Sequence, residues 1–112
     1  MGITEKSNES YGTLAFAAPE LILKKNYNKS IDMWSLGVII YFLLSGNYPF
    51  INKENNMHKL AIDITRGEIK FLGNIWKKIG NNSIDLVMKC LERDVTKRID
   101  INAFFDHSWF HE

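Results

Sequence analysis

Apolar and polar positions divide the chain into an irregular lead and a series of helical patterns. Residues 1–11, MGITEKSNESY, are polar without a period and read as a loop or disordered lead. APELILKK follows, with Pro19 suited to the first turn of a short helix that Lys24, Lys25 and Asn26 would end. SIDMWSLGVIIYFLLSG is apolar on every face. Its length favours a helix over a strand, with Ser30 or Asp32 able to cap its start and Gly46 able to close it. Such a helix is expected to be central and surrounded, yet a chain this short has few segments with which to wrap it. NKENNMHKLAIDITRGE places Met57, Leu60, Ala61 and Ile64 at helical spacing before Gly67. IKFLGNIWKKIGNN reads as irregular. SIDLVMKCLERD reads as a helix capped by Ser83, and DINAFFDHSWF as a last short helix capped by Asp100. No strand pattern, repeat or linker stands out. The expectation is a mainly α unit over residues 12–112, preceded by the lead at 1–11.

Charge and cysteine content narrow the chemistry. A formal net charge of +1, with only short lysine pairs, gives no electrostatic argument for nucleic acid or an anionic membrane. Cys90 is the single cysteine, so no internal disulfide is possible, and a reducing, intracellular (cytoplasmic) setting is expected. It lies in the apolar pattern IDLVMKCLE and reads as a buried thiol. His58, His107 and His111 have no cysteine beside them at metal-ligand spacing, and no metal site is expected. The longest apolar run, WSLGVIIYFLL, is short of the ~20 residues needed to span a bilayer. The start Met1-Gly2 fails as a myristoylation signal because Lys6 stands where Ser or Thr is needed.

The stretch GTLAFAAPE, Gly12 to Glu20, ends small and apolar residues with a proline and a lone carboxylate. After it come DMWSLG, GNYPF, RDVTKRI and DHSW in that order. This order resembles the lower half of the large lobe of eukaryotic Ser/Thr protein kinases, over residues from about 7 to 112. GNYPF and DHSWF look most like the calcium/calmodulin-dependent and calcium-dependent protein kinase group. The fold so implied is mainly α: the end of the activation segment plus the helices that follow, not a complete kinase domain. Residues 1–11 would then be an activation-loop remnant.

The resemblance implies roles for particular residues. Glu20 would be clamped bidentately by Arg98, the pair being largely buried. Asp32, Trp34 and Gly37 belong to the motif that opens the central helix; Asp32 in the family holds backbone amides of the catalytic loop, although it could also cap its own helix. Thr13 in the family hydrogen-bonds the catalytic Asp and Lys of Ser/Thr-specific enzymes. Phe16 and Ala17 would line the pocket for the residue after the phosphoacceptor, with Phe16 standing where the family usually has Tyr. Phe42 occupies a position at which the cyclic-AMP-dependent type often has a Glu that reads a basic substrate side chain. Glu9 stands at the usual phosphorylated position of the activation loop, either as an acidic replacement or as a solvated loop charge.

Phosphoryl transfer requires a phosphate cover, a Lys, Mg²⁺-binding Asp and Asn, and a catalytic Asp. The 112 residues contain no G-x-G-x-x-G, V-A-I-K, H-R-D-x-x-x-x-N or D-F-G. No catalytic residue and no metal ligand is therefore expected here, and the site for ATP and Mg is expected upstream of residue 1. The implied function is the peptide-substrate shelf and scaffold of a kinase that phosphorylates protein Ser/Thr, inactive on its own. The alternative is a non-catalytic pseudokinase or truncated interaction module. The implied partners are a protein substrate and the missing N-lobe and catalytic-loop half, with a calcium-binding regulatory region possible downstream; nucleic acid and a membrane span are not among them.

Overall fold

A computed structural model describes residues 14–25, 28–51, 54 and 56–111. Its helices are α1 (Pro19–Ile22), α2 (Ser30–Ser45), α3 (Met57–Arg66), α4 (Asn74–Ile79), α5 (Asn81–Cys90) and α6 (Ile101–Phe105), followed by a 3₁₀ turn, Ser108–His111. No strand occurs among the described residues.

Local chemistry sets most boundaries. Pro19 occupies the first turn of α1, where its missing N–H leaves no bond unmade. Asn56 accepts the Lys59 N–H and starts α3; Asp100 accepts the Ala103 N–H and starts α6. Gly46 ends α2 with φ +78°, its N–H bonded to the Phe42 carbonyl. Three boundaries differ from the sequence expectation. Neither Ser30 nor Asp32 caps α2; the Asn28 side chain instead accepts the Ser30 N–H at 2.9 Å. Ser83 does not cap α5, which begins two residues earlier. Gly80, at φ +102°, breaks the chain between α4 and α5, and Ser83 lies buried inside the helix without a partner for its hydroxyl. The stretch read as irregular contains α4, whose Trp76 is buried against Tyr41 and Phe71.

α2 is the spine. It packs on α5 and α4, while α1 packs on α3 and the 3₁₀ turn closes on α5. Met33, Trp34, Val38, Ile40 and Tyr41 face the core with Leu60, Ile64, Leu86 and Val87. The chain does not wrap this helix on all faces: Ile39, Phe42 and Leu43 are exposed, Leu43 by 73%. The described chain packs one side of a helix that is apolar all round, leaving the other side to solvent.

Candidate functional site

The segment Leu14–Glu20 is held against α2 from both ends. Residues 14–16 make one helical turn, with the Ala17 N–H bonded to the Leu14 carbonyl at 3.0 Å. Ala15 and Ala18 are buried, small enough to bring the backbone close to the core, while Phe16 and Ala17 remain half-buried. Ser35, one turn into α2, donates its hydroxyl to the Phe16 carbonyl at 3.0 Å.

Glu20 secures the other end. Arg98 donates from Nη1 and Nη2 to its two carboxylate oxygens at 2.6 and 2.9 Å, and the side chains of Arg98 and Glu20 are 0% and 5% exposed. Burial pushes the Glu20 carboxyl up, but the Arg98 hydrogen bonds and charge outweigh it and hold the group below its ordinary range. Arg98 also donates to the Ser30 and Glu92 carbonyls, so one guanidinium joins α1, the start of α2 and the loop after α5.

That guanidinium lies 5.3 Å from the ring of Trp34, and Trp34 stacks on Phe50 at 6.0 Å with an interplanar angle of 6°. Arg93 covers the same Phe50 ring at 5.8 Å. The result is a column running cation, indole, phenyl, cation through the middle of the unit. Arg93 closes it by donating to the carbonyls of Ile64, Asp63 and Gly67 at 2.8, 3.1 and 2.6 Å, at the C-terminal end of α3. Sequence reasoning missed Arg93. Its acceptors are carbonyls, which carry no residue signature.

On the open side, Phe16 meets Tyr48 edge-on at 5.5 Å, and Tyr48 stacks on Phe42 at 4.7 Å. The positions singled out separately at 16 and 42 are thus joined through Tyr48 into one aromatic wall beside the Leu14–Ala18 loop. Asp32 is exposed on the first turn of α2. Gly37 is buried where α2 crosses α5. Thr13 and Glu9 lie outside the described residues.

A second polar contact that the sequence did not reveal ties the C-terminal turn down. The buried His107 ring takes the Trp109 N–H on Nδ1 at 3.0 Å and turns Nε2 to Asp85 at 2.6 Å; Asp85 also pairs with Lys89 at 2.9 Å. The His107 and Lys89 contacts hold the Asp85 carboxyl below its ordinary range. Cys90 is fully buried, and burial pushes its thiol up to about 12, against a smaller opposing pull from Arg98.

Comparison with known proteins gives these contacts a context. The family model described as the protein kinase domain matches residues 1–110. Calcium/calmodulin-dependent protein kinase type II of Schizosaccharomyces pombe is 37% identical over 98 residues, covering 88% of this chain and 19% of the relative. Calcium-dependent protein kinase 5 of Plasmodium berghei is 40% identical over 99 residues, covering 88% and 17%. The twitchin kinase region from C. elegans superposes with a TM-score of 0.81 at 32% identity, covering 88% of this chain and 17% of that one. The chain spans less than a fifth of the length of each of these proteins.

Proposed function

The chain belongs to the protein kinase family, in its Ser/Thr branch and close to the calcium/calmodulin-dependent group, and on that premise we propose that it is the peptide-substrate shelf and helical scaffold of a Ser/Thr protein kinase. One observation carries the reading. The Glu20–Arg98 clamp and the Ser35–Phe16 bond fix both ends of the Leu14–Glu20 loop on the buried spine, so Phe16 and Ala17 are offered on a rigid support. Substrate peptide would lie along this loop, with Phe16 and Ala17 against the residue after the phosphoacceptor. Thr13 would sit beside the catalytic groups of the other half and favour Ser/Thr. Asp32 would hold backbone amides of the catalytic loop from its exposed place on α2.

ATP and Mg supply the transferred phosphoryl group and its charge neutralisation in this family. The residues of this chain do not fit either. None of the phosphate-binding or Mg-binding motifs occurs in the sequence, and no cluster of three or more His, Cys, Asp or Glu is arranged for a metal among the described residues. The chain's part is to bind and orient the peptide, and alone it turns nothing over. Residues 12–112 act as one scaffold, with 1–11 an activation-loop remnant. Glu9 supplies a fixed negative charge where an activating phosphate would stand. A phosphate carries about −1.5 to −2, so this substitution is partial. The setting is the cytoplasm; no helix among the described residues is long and apolar enough to cross a membrane.

The test is Phe16→Ala in the full-length protein. The Michaelis constant for a peptide substrate should rise about tenfold while that for ATP stays unchanged. An equal change in both constants, or none in either, would contradict the shelf. Titrating the 112-residue chain with Mg-ATP should give no heat of binding, and micromolar affinity would contradict the division of labour.

A further inference from the structure

A groove runs between α1 and α3. One part, about 400 Å³, has Ile22 and Leu23 on one side and Ala61, Ile62 and Thr65 on the other. A second part, about 330 Å³, shares Leu23 and Thr65 and continues toward Val95. The floor is aliphatic, with Leu23 50% exposed and Val95 38% exposed.

The rim is cationic, and its charges are unspent. Arg66 borders the first part and Lys25 the second. Neither side chain has a hydrogen bond or an ion pair among the described residues. Of the two carboxylates bordering the groove, one is neutralised by a cation and the other is held by neutral donors and stays charged. Glu20 is clamped by Arg98, and Asp94 accepts from the Thr96 hydroxyl and N–H at 2.6 and 3.0 Å. Arg93, at the far end, uses its donors on α3 carbonyls and keeps its charge facing the same space. An aliphatic channel edged by the unpaired cations Lys25 and Arg66, with Arg93 at one end and Asp94 as the one bordering carboxylate among the described residues not matched by a cation, complements an acidic segment that carries aliphatic side chains.

We propose that the α1–α3 groove is a docking surface for an acidic, leucine- or isoleucine-bearing peptide segment of a partner protein. The aliphatic side chains lie over Leu23 and Ile62, and the acidic ones pair with Arg66 and Lys25. The groove is formed by different residues from the Phe16–Tyr48–Phe42 wall, so it holds a protein independently of the residues around a phosphoacceptor.

The experiment measures fluorescence anisotropy of a labelled twelve-residue peptide alternating Glu and Leu, titrated with the full-length protein. Peptides alternating Lys with Leu and Glu with Ser serve as the charge and apolar controls. The Glu–Leu peptide should bind, and both controls should bind at least about tenfold more weakly. Lys25→Glu with Arg66→Glu, and separately Leu23→Ser, should each weaken the Glu–Leu peptide about tenfold while the thermal midpoint stays put, since all three side chains are exposed. Hydrogen exchange should slow over residues 58–66 when the peptide is bound. Equal binding of the Lys–Leu peptide, equal binding of the Glu–Ser peptide, or indifference to both variants would overturn the proposal. So would preferential binding of phosphatidylserine vesicles or duplex DNA in place of the Glu–Leu peptide.

Discussion

A Cβ placed on Gly37 would lie 2.6 Å from the Cβ of Cys90, so α2 and α5 cross at a point where one of them has no side chain. The neighbouring Leu91 side chain would be met at 3.0 Å. Cys90 Cβ is fixed to its backbone and cannot rotate away. Gly37→Ala therefore separates the two helices, and the overpacking costs about 1–3 kcal/mol. The gain in helix propensity, at most ~1 kcal/mol, opposes it without cancelling it. A lowered thermal midpoint for Gly37→Ala is expected, and Cys90→Ala should not rescue it because the Cβ remains. An unchanged midpoint for Gly37→Ala would show that the crossing relaxes freely.

The Glu20–Arg98 clamp should respond to its two partners almost as a unit. Glu20→Gln or Arg98→Met leaves the other charge buried and unmatched, a loss of roughly 3–5 kcal/mol. Replacing both by apolar residues should recover part of it, which a double-mutant cycle in urea would read as coupling. The pH sign follows from Glu20. Its carboxyl is held below the ordinary range in the folded state, so its contribution is fully present above the unfolded carboxyl pKa and fades as pH falls through the lower folded value. The acid limb of stability should flatten in Arg98→Met. An unaltered acid limb would mean the clamp does not report on folding.

The central helix, the capped starts at Asp100 and the stop at Gly46 were legible in the sequence, because each is decided by residues within a turn of itself. The segment Leu14–Glu20 was legible only through motif order, since nothing local links Glu20 to Arg98, 78 positions on. Ser83 looked like a cap because serine before an apolar stripe commonly is one. Gly80 overrode it by allowing a positive φ that starts α5 earlier and leaves the serine inside. Arg93 and His107 stayed hidden, as their partners are backbone groups or a carboxylate with no fixed spacing.

Arg93 acts as a C-terminal cap brought from a distant segment. The last carbonyls of a helix lack intrahelical donors; Arg93 supplies one to the Ile64 carbonyl, and also reaches the Gly67 carbonyl and the Asp63 carbonyl that already takes the Gly67 N–H at 2.7 Å. Lysine cannot reproduce that fork. Arg93→Lys should destabilise the protein by about 1–3 kcal/mol. The loss should be local first, with faster hydrogen exchange at the Gly67 amide than in α2 or α5. Exchange that rises uniformly across the helices would place the effect in global stability instead.

The open side of α2 predicts how the 112-residue chain behaves when purified alone. Ile39, Phe42 and Leu43 stand 40%, 38% and 73% exposed on a helix whose other face is core. A contiguous apolar patch beyond a few hundred Å² favours association, and the ordinary way to cover it is another copy of the same surface. Light scattering should therefore show oligomers whose size grows with concentration. Ile39→Lys with Leu43→Lys should restore a monodisperse species without lowering the thermal midpoint, because neither side chain contributes to the packed face. In the full-length protein the same two substitutions should do the reverse. If the catalytic half lies on this strip, two lysines become buried charges there, and stability and activity should both fall. A monomeric parent chain, or a full-length protein indifferent to both lysines, would mean that the strip is ordinary surface.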